Sequence, residues 1–142
     1  MRLSDVRPTD DEVKVMLEVG AALREHSAFA GAEAVFRGLA EMLPRAAEPR
    51  VGLATVLLHL HRYDEAERLC AEALRLQPGS LRARLLFGEA LLHQRRRDEG
   101  EEELRQVVEA DPESADGREA QALLDAAYII CDPELSEVWR IR

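Results

Sequence analysis

A repeat of 34 residues constrains the fold of this chain more than any other feature of its sequence. Three consecutive blocks, residues 13–46, 47–80 and 81–114, align without an insertion or a deletion. Small residues, large residues and a proline recur at fixed places in every block. The recurring positions are Gly20, Ala54 and Gly88; Leu23, Leu57 and Leu91; Ala32, Ala66 and Gly100; Phe36, Cys70 and Leu104; Pro44, Pro78 and Pro112. The sequence therefore predicts a row of like units, each burying its apolar face against the next.

Each block has the pattern of two helices. In the second block, residues 51–60 are almost wholly apolar, and after a polar break apolar residues return at helical spacing between Ala66 and Leu74. The small residues allow the two helices of a pair to approach closely, and the large ones fill the space beside them. The prolines end each second helix. The expected N-caps are Thr9, with Glu12 completing a capping box, and Asp64, Ser80, Asp98 and Ser114.

The two ends of the chain differ from the repeats. Residues 1–12 are expected to form a loose lead-in, and residues 115–130 an amphipathic capping helix. Residues 131–142 form a short amphipathic tail whose apolar residues have helical spacing. They are Leu135, Val138 and Trp139. The tail can pack on the capping helix, form a dimer contact or occupy a groove of its own chain, and the sequence leaves these alternatives open.

The composition excludes several classes of function. With 28 acidic and 19 basic residues the net charge is −9, which argues against nucleic acid as a partner because phosphate binding needs concentrated Lys and Arg. No apolar run is long enough for a membrane span, and the first residues lack the pattern of a signal peptide. Cys70 and Cys131 have no metal-binding or redox spacing. We therefore expect a cytoplasmic protein with no membrane association.

The sequence contains no motif for catalysis. His59 and His93 are one repeat apart and should occupy equivalent places, where a metal or acid–base pair is conceivable. Partly exposed polar residues at the helix ends are the favoured interpretation. Phosphate-binding loops and nucleophile motifs are both lacking. We expect neither enzymatic activity nor a cofactor or bound metal.

The period of 34 and the small–large–small–large–Pro pattern resemble the tetratricopeptide repeat over residues 13–114. The sequence departs from that family where an aromatic residue is common in the first helix, since Met16, Arg50 and Arg84 stand there. The resemblance implies an all-α fold. Its form would be a right-handed α–α superhelix of three helix pairs with a C-terminal capping helix, its concave face lined by the first helices.

The resemblance also implies a protein-interaction role for that concave groove. The groove residues it indicates are Leu17, Ala21, Arg24, Val51, Thr55, Leu58, His59, Arg82, Leu85, Glu89, Leu92 and His93. Most are aliphatic or small, which suits a peptide or helical segment with apolar anchors. The family's carboxylate clamp, which grips acidic C-terminal tails, would need Lys, Asn or Arg at Leu17, Ala21, Gly52, Arg82 and Leu86. Only Arg82 is compatible, so that subfamily is disfavoured.

Within the family, the chain is similar to the bacterial chaperones of type III secretion systems. Those proteins also consist of a few repeats with capping ends, and the stretch AEAVFRGLAEMLP resembles them. The resemblance implies a secreted protein as the partner, and a homodimer formed through the tail is a further expectation. The alternative is a generic scaffold that assembles another complex.

Overall fold

The computed structural model describes residues 1–135, and they form helices and short connections with no β-strand among them. The all-α class expected from the repeats is confirmed. The α-helices are α1 (Asp10–Glu25), α2 (Phe29–Met42), α3 (Glu48–His59), α4 (Tyr63–Leu76), α5 (Leu81–His93), α6 (Arg97–Ala110) and α7 (Ala115–Cys131). A single 3₁₀ turn, Leu3–Asp5, precedes them and lies against α2.

The helices form two compact units, Met1–Pro78 and Gly79–Arg142. In the first unit, α1, α2 and α3 each pack against the next helix along the chain, and α1 also contacts α3. In the second unit, α6 packs against both α5 and α7, and α5 contacts α7 as well. Within each unit, short turns join the helices, so neighbours along the chain run antiparallel.

The predicted hydroxyl caps are confirmed at three helix starts. The Thr9 hydroxyl accepts a hydrogen bond from the Glu12 amide at 3.2 Å, and the Glu12 carboxylate accepts one from the Thr9 amide at 2.7 Å. This capping box makes α1 begin at Asp10, so the lead-in is shorter than residues 1–12. The Ser80 and Ser114 hydroxyls cap α5 and α7 by accepting hydrogen bonds from the amides of Ala83 and Gly117, without a capping box.

The prediction that Asp64 and Asp98 are N-caps is wrong. The caps are Arg62 and Arg96, and neither of them makes a side-chain cap hydrogen bond. The preceding turn causes the difference, because it ends in a backbone hydrogen bond from the amide of Arg62 or Arg96, ahead of the aspartate. The two aspartates instead lie in the first helical turn, where the positive end of the helix dipole favours a carboxylate.

That turn has the same backbone conformation in all three helix pairs. One residue adopts the left-handed conformation, and the next amide donates a hydrogen bond to the carbonyl five residues earlier, as in a Schellman motif. The left-handed residues are Ser27, His61 and Arg95, with φ of 59°, 59° and 63°. The closing hydrogen bonds join Ala28 to Leu23, Arg62 to Leu57 and Arg96 to Leu91 at 2.7, 2.9 and 3.0 Å.

The small residues lie where two helices touch, as predicted. A Cβ atom on Gly88 would lie 3.1 Å from the carbonyl oxygen of Gly100 and 2.8 Å from Cγ of Leu104. A Cβ on Gly100 would in turn lie 3.0 Å from the carbonyl oxygen of Gly88. The backbones of α5 and α6 are therefore in contact. In the first unit, Gly20 faces the ring of Phe36 in the same way, with 2.7 Å from such a Cβ to Cζ.

The tail prediction is tested only in part. Leu135 is 43% exposed in the single chain, whereas close packing of the tail on the capping helix would bury it, and burial in a dimer contact stays a prediction. The Asp132 carboxylate accepts hydrogen bonds from the amides of Glu134 and Leu135, so a helical turn begins there. Val138 and Trp139 lie outside the described residues.

The helix contact in the second unit can be tested with a pair of glycine substitutions. Gly88→Ala should lower the free energy of unfolding by about 1–2 kcal/mol, because overpacking against a backbone oxygen outweighs the gain in helix propensity. Gly38→Ala is the matched control, since no neighbouring element lies within 4 Å of its Cβ position in α2. It should raise the same quantity by about 0.5–1 kcal/mol. Denaturant unfolding measures both values, and a stability gain in Gly88→Ala would contradict the assigned contact.

Candidate functional site

In the first unit, the predicted groove residues lie on two helices that contact each other. They are Leu17, Ala21 and Arg24 on α1, and Val51, Thr55, Leu58 and His59 on α3. We call this set the α1–α3 face. Five of its members are half-buried, which leaves their side chains partly accessible to a partner. The other two residues already have partners within the unit: Thr55 makes a hydrogen bond and His59 makes a ring contact.

Local contacts fix the positions of those two residues. Thr55 is only 8% exposed and donates its hydroxyl hydrogen to the Val51 carbonyl at 2.9 Å. The exposed His59 ring stacks on Phe29, with ring centroids 5.2 Å apart. The stack ties the end of α3 to the start of α2, so His59 closes one end of the α1–α3 face.

A hollow of about 330 Å³ lies at the other end of this face. Leu17 and Val13 contribute its apolar lining, and charges of both signs surround them: Lys14 is basic, and Asp10, Glu18 and Glu48 are acidic. An apolar site with a charged rim can accept one aliphatic side chain of a peptide while polar groups orient the peptide backbone. Sequence reasoning found Leu17 but missed its neighbours in this hollow.

In the second unit, the expectation that Leu85 and Leu92 line an open groove is wrong. Both side chains are fully buried, in a core that also contains Leu104 and Val107. The reason is α7, which packs against α5 and α6, and whose Cys131 thiol donates to the Leu92 carbonyl at 3.4 Å. The helix α5, which is the first helix of the last repeat, is thus covered on its apolar side.

The remaining predicted residues of α5 are polar. The Arg82 guanidinium lies 2.7 Å from the Glu119 carboxylate and 3.3 Å from the Asp116 carboxylate, both on α7. Asp116 follows Arg82 by one repeat period, and continuing the 34-residue register into α7 would have identified this pairing from the sequence. The Glu89 carboxylate lies 3.9 Å from Nε2 of His93.

Glu89 is the titratable group with the most unusual surroundings. Burial and, to a lesser extent, the nearby Glu119 raise the pKa of its carboxyl to about 6, and Arg82 acts in the opposite direction. The carboxyl therefore binds a proton more tightly in the folded chain than in the unfolded chain. The ionised form costs stability above this pKa, and the cost disappears as the pH falls through 6 towards 4.5.

Glu89→Gln should therefore raise the free energy of unfolding at pH 7 by about 1–2 kcal/mol, because an amide has no charge to desolvate. The gain should vanish near pH 4, where the wild-type carboxyl is protonated. Denaturant titrations at both pH values measure the difference. Glu109→Gln, an exposed position on α6, is the control and should change little. A loss of stability at pH 7 in Glu89→Gln would contradict the assignment.

The two histidines predicted to occupy equivalent places each have a separate neighbour, since His59 stacks on Phe29 and His93 lies beside Glu89. Within residues 1–135, no group of three or more His, Cys, Asp or Glu side chains is placed to hold a metal ion. No helix in that part of the chain has the length and apolar character needed to cross a bilayer.

The repeats themselves match a known family. A family model described as tetratricopeptide repeat matches residues 23–74 and 60–126. The chain belongs to the tetratricopeptide repeat family. Its departures from the family pattern, Met16, Arg50 and Arg84 in the first helices, are therefore tolerated by this fold. No curated protein matches the chain.

Solved tetratricopeptide repeat structures share this fold at low sequence identity. The tetratricopeptide repeat domain of Arabidopsis OM64 has a TM-score of 0.71 and 21% identity, covering 79% of this chain and 93% of that one. The Yersinia enterocolitica type III secretion translocator chaperone SycD has a TM-score of 0.76 and 16% identity, covering 86% of this chain and 87% of that one. The TPR2B domain of yeast Sti1, solved with an Hsp70 peptide, has a TM-score of 0.72 and 21% identity, covering 80% of this chain and 97% of that one.

Proposed function

We propose that this tetratricopeptide repeat protein binds a peptide or helical segment of a partner protein on its α1–α3 face. The observation that carries the proposal is the accessible apolar surface there. Leu17, Val51 and Leu58 remain half-buried in the first unit, whereas the equivalent leucines of α5 are fully buried. Aliphatic side chains left partly open on a packed helix pair favour an apolar partner.

Charges at the edge of the face support a partner with polar groups beside its apolar anchors. Arg24 is half-buried on α1, and Lys14 lies with three carboxylates around the hollow at Leu17. Such mixed charges contribute more to orientation and specificity than to affinity. The polar set on α5, Arg82 and Glu89 with His93, belongs to the second unit, where Leu85 and Leu92 are fully buried.

The finer proposal is a bacterial cytoplasmic chaperone for a secreted protein. Two observations support it over a co-chaperone that grips acidic tails. Leu17 and Ala21 replace the polar clamp residues, and Leu86 is only 2% exposed, so a carboxylate finds no clamp at these positions. SycD, solved also with a peptide of the translocator YopD, has a similar fold. The alternative is a scaffold that assembles another complex, and in either role the protein binds without catalysing a reaction.

Selection of random peptides displayed on phage against the full chain tests the binding face. Enriched peptides should carry two or more apolar residues, and their synthetic forms should bind in calorimetry. Leu17→Glu with Leu58→Glu should weaken binding at least tenfold, because a charge at each anchor position must be desolvated. Circular dichroism should report an unchanged helix content.

The matched control is Leu76→Glu, the same change at a 40% exposed leucine on α4, which should bind as the wild type does. Equal affinity of the double variant and the control would contradict the proposed face. Co-expression then separates the two finer roles. A chaperone keeps an apolar secreted subunit of its host soluble, whereas a scaffold does not.

A further inference from the structure

The two helices of the α1–α3 face carry their charges in a definite order. Asp10 and Glu48 lie in the first turns of α1 and α3, and Arg24 lies in the last turn of α1. Because α2 runs antiparallel to both of its neighbours, α1 and α3 point in the same direction. The face therefore has an acidic end, an apolar middle formed by Leu17 and Leu58 with their neighbours, and a basic end.

The acidic end coincides with the hollow of about 330 Å³ beside Leu17. Asp10, Glu18 and Glu48 line this hollow, and Lys14 is the one cation in its lining. Within residues 1–135, none of the three carboxylates makes an ion pair or a side-chain hydrogen bond. The helix dipoles stabilise the two carboxylates in the first turns, but Glu18 lies in the middle of α1, beyond that effect. Three carboxylates beside one ammonium leave an excess of negative charge, which favours a basic group of a ligand.

The basic end consists of a guanidinium without a partner among the described residues. Arg24 is half-buried, yet its side chain makes no hydrogen bond or ion pair with any residue from 1 to 135. Glu25, next to it in the sequence, is exposed and does not pair with it. The other half-buried arginine of the first unit, Arg50, donates to the Glu72 carboxylate at 3.2 Å and to two backbone carbonyls. Arg24 is therefore available to a carboxylate of a ligand, which a guanidinium binds with charge-assisted hydrogen bonds.

The distance between the two ends sets the spacing of the charges in a bound segment. Lys14, in the middle of the stretch of α1 that lines the hollow, precedes Arg24 by ten residues, which corresponds to about 15 Å along the helix axis. An extended segment covers this distance in about five residues, and a helical segment covers it in about ten. The half-buried side chains of Leu17 and Ala21 lie between the two ends, so the residues between the two charges of the segment meet an apolar surface.

We propose that the partner segment bound on the α1–α3 face carries a Lys or Arg that lies at the acidic hollow and an Asp or Glu that pairs with Arg24. Aliphatic residues between these two charges contact Leu17 and Leu58. The inference rests on the proposed function and adds to it the sign, order and spacing of the charges on the partner. Pairing at both ends fixes the orientation of the segment on the face, because a reversed segment would place each charge beside groups of its own sign.

Double-mutant cycles between the full chain and a synthetic peptide test both pairings. The probe is the tightest-binding peptide from the phage selection, which should carry a basic and an acidic residue at one of the two spacings given above. Arg24→Gln should weaken its binding in calorimetry about three- to tenfold, and should have no such effect on the peptide whose acidic residue is replaced by its amide. Glu18→Gln with Glu48→Gln should behave in the same way towards the basic residue of the peptide. Arg24→Glu should prefer the peptide in which Lys replaces the acidic residue.

Arg68→Gln, the same change at an exposed arginine on α4, is the matched control and should bind the peptide as the wild type does. Circular dichroism should be unchanged in every variant. Enriched peptides without this pair of charges, or Arg24→Gln binding as tightly as the control, would overturn the inference. The proposed function would still stand in that case if Leu17→Glu with Leu58→Glu weakens binding. Undiminished binding by that double variant would overturn both.

Discussion

The contact between the backbones of α5 and α6 at Gly88 and Gly100 is the constraint on which the second unit depends. Neither glycine can carry a side chain without meeting a carbonyl oxygen of the other helix at 3.0–3.1 Å. This close approach brings Leu92 and Leu104 together beside it and gives α7 a continuous surface to cover. In the first unit an aromatic ring packs against glycines in a similar way, since Phe36 fills the space that a side chain on Gly20 or Gly52 would need. In a repeat protein these local contacts, repeated along the chain, supply most of the stability.

The same packing decides which residues remain for binding. Equivalent repeat positions differ in burial: Val51 on α3 is half-buried, whereas Leu85 on α5 is completely buried. Covering α5 also buries a carboxyl group, and Glu89 gains a raised pKa as a result. The second unit therefore buries Leu85 and Leu92, whereas the equivalent residues of the first unit, Val51 and Leu58, stay half-buried. A partner bound by aliphatic anchors is expected at α1 and α3 for this reason.

The fold class and several helix starts could be predicted from the sequence because their causes are local. The 34-residue period and the caps Thr9, Ser80 and Ser114 need only neighbouring residues to act. The assignment of Asp64 and Asp98 as N-caps was wrong because a backbone motif takes the place of side-chain capping there. The left-handed residues of that motif are His61 and Arg95, and without a glycine the sequence gives no sign of it. The predicted residues of α1 and α3 lie on two helices that contact each other, and their role in binding stays a prediction. The burial of Leu85 and Leu92 depends on the tertiary position of α7, which a pattern averaged over repeats does not contain.

The central claim is that the α1–α3 face binds the partner while the leucines of α5 form the core. Methyl resonances of the full chain, recorded with and without a phage-selected peptide, test it most directly. The account predicts that the methyl signals of Leu17, Val51 and Leu58 shift in proportion to bound peptide, and that those of Leu85 and Leu92 do not. Shifts confined to the α5 leucines, or to the exposed valines Val15 and Val19, would contradict it.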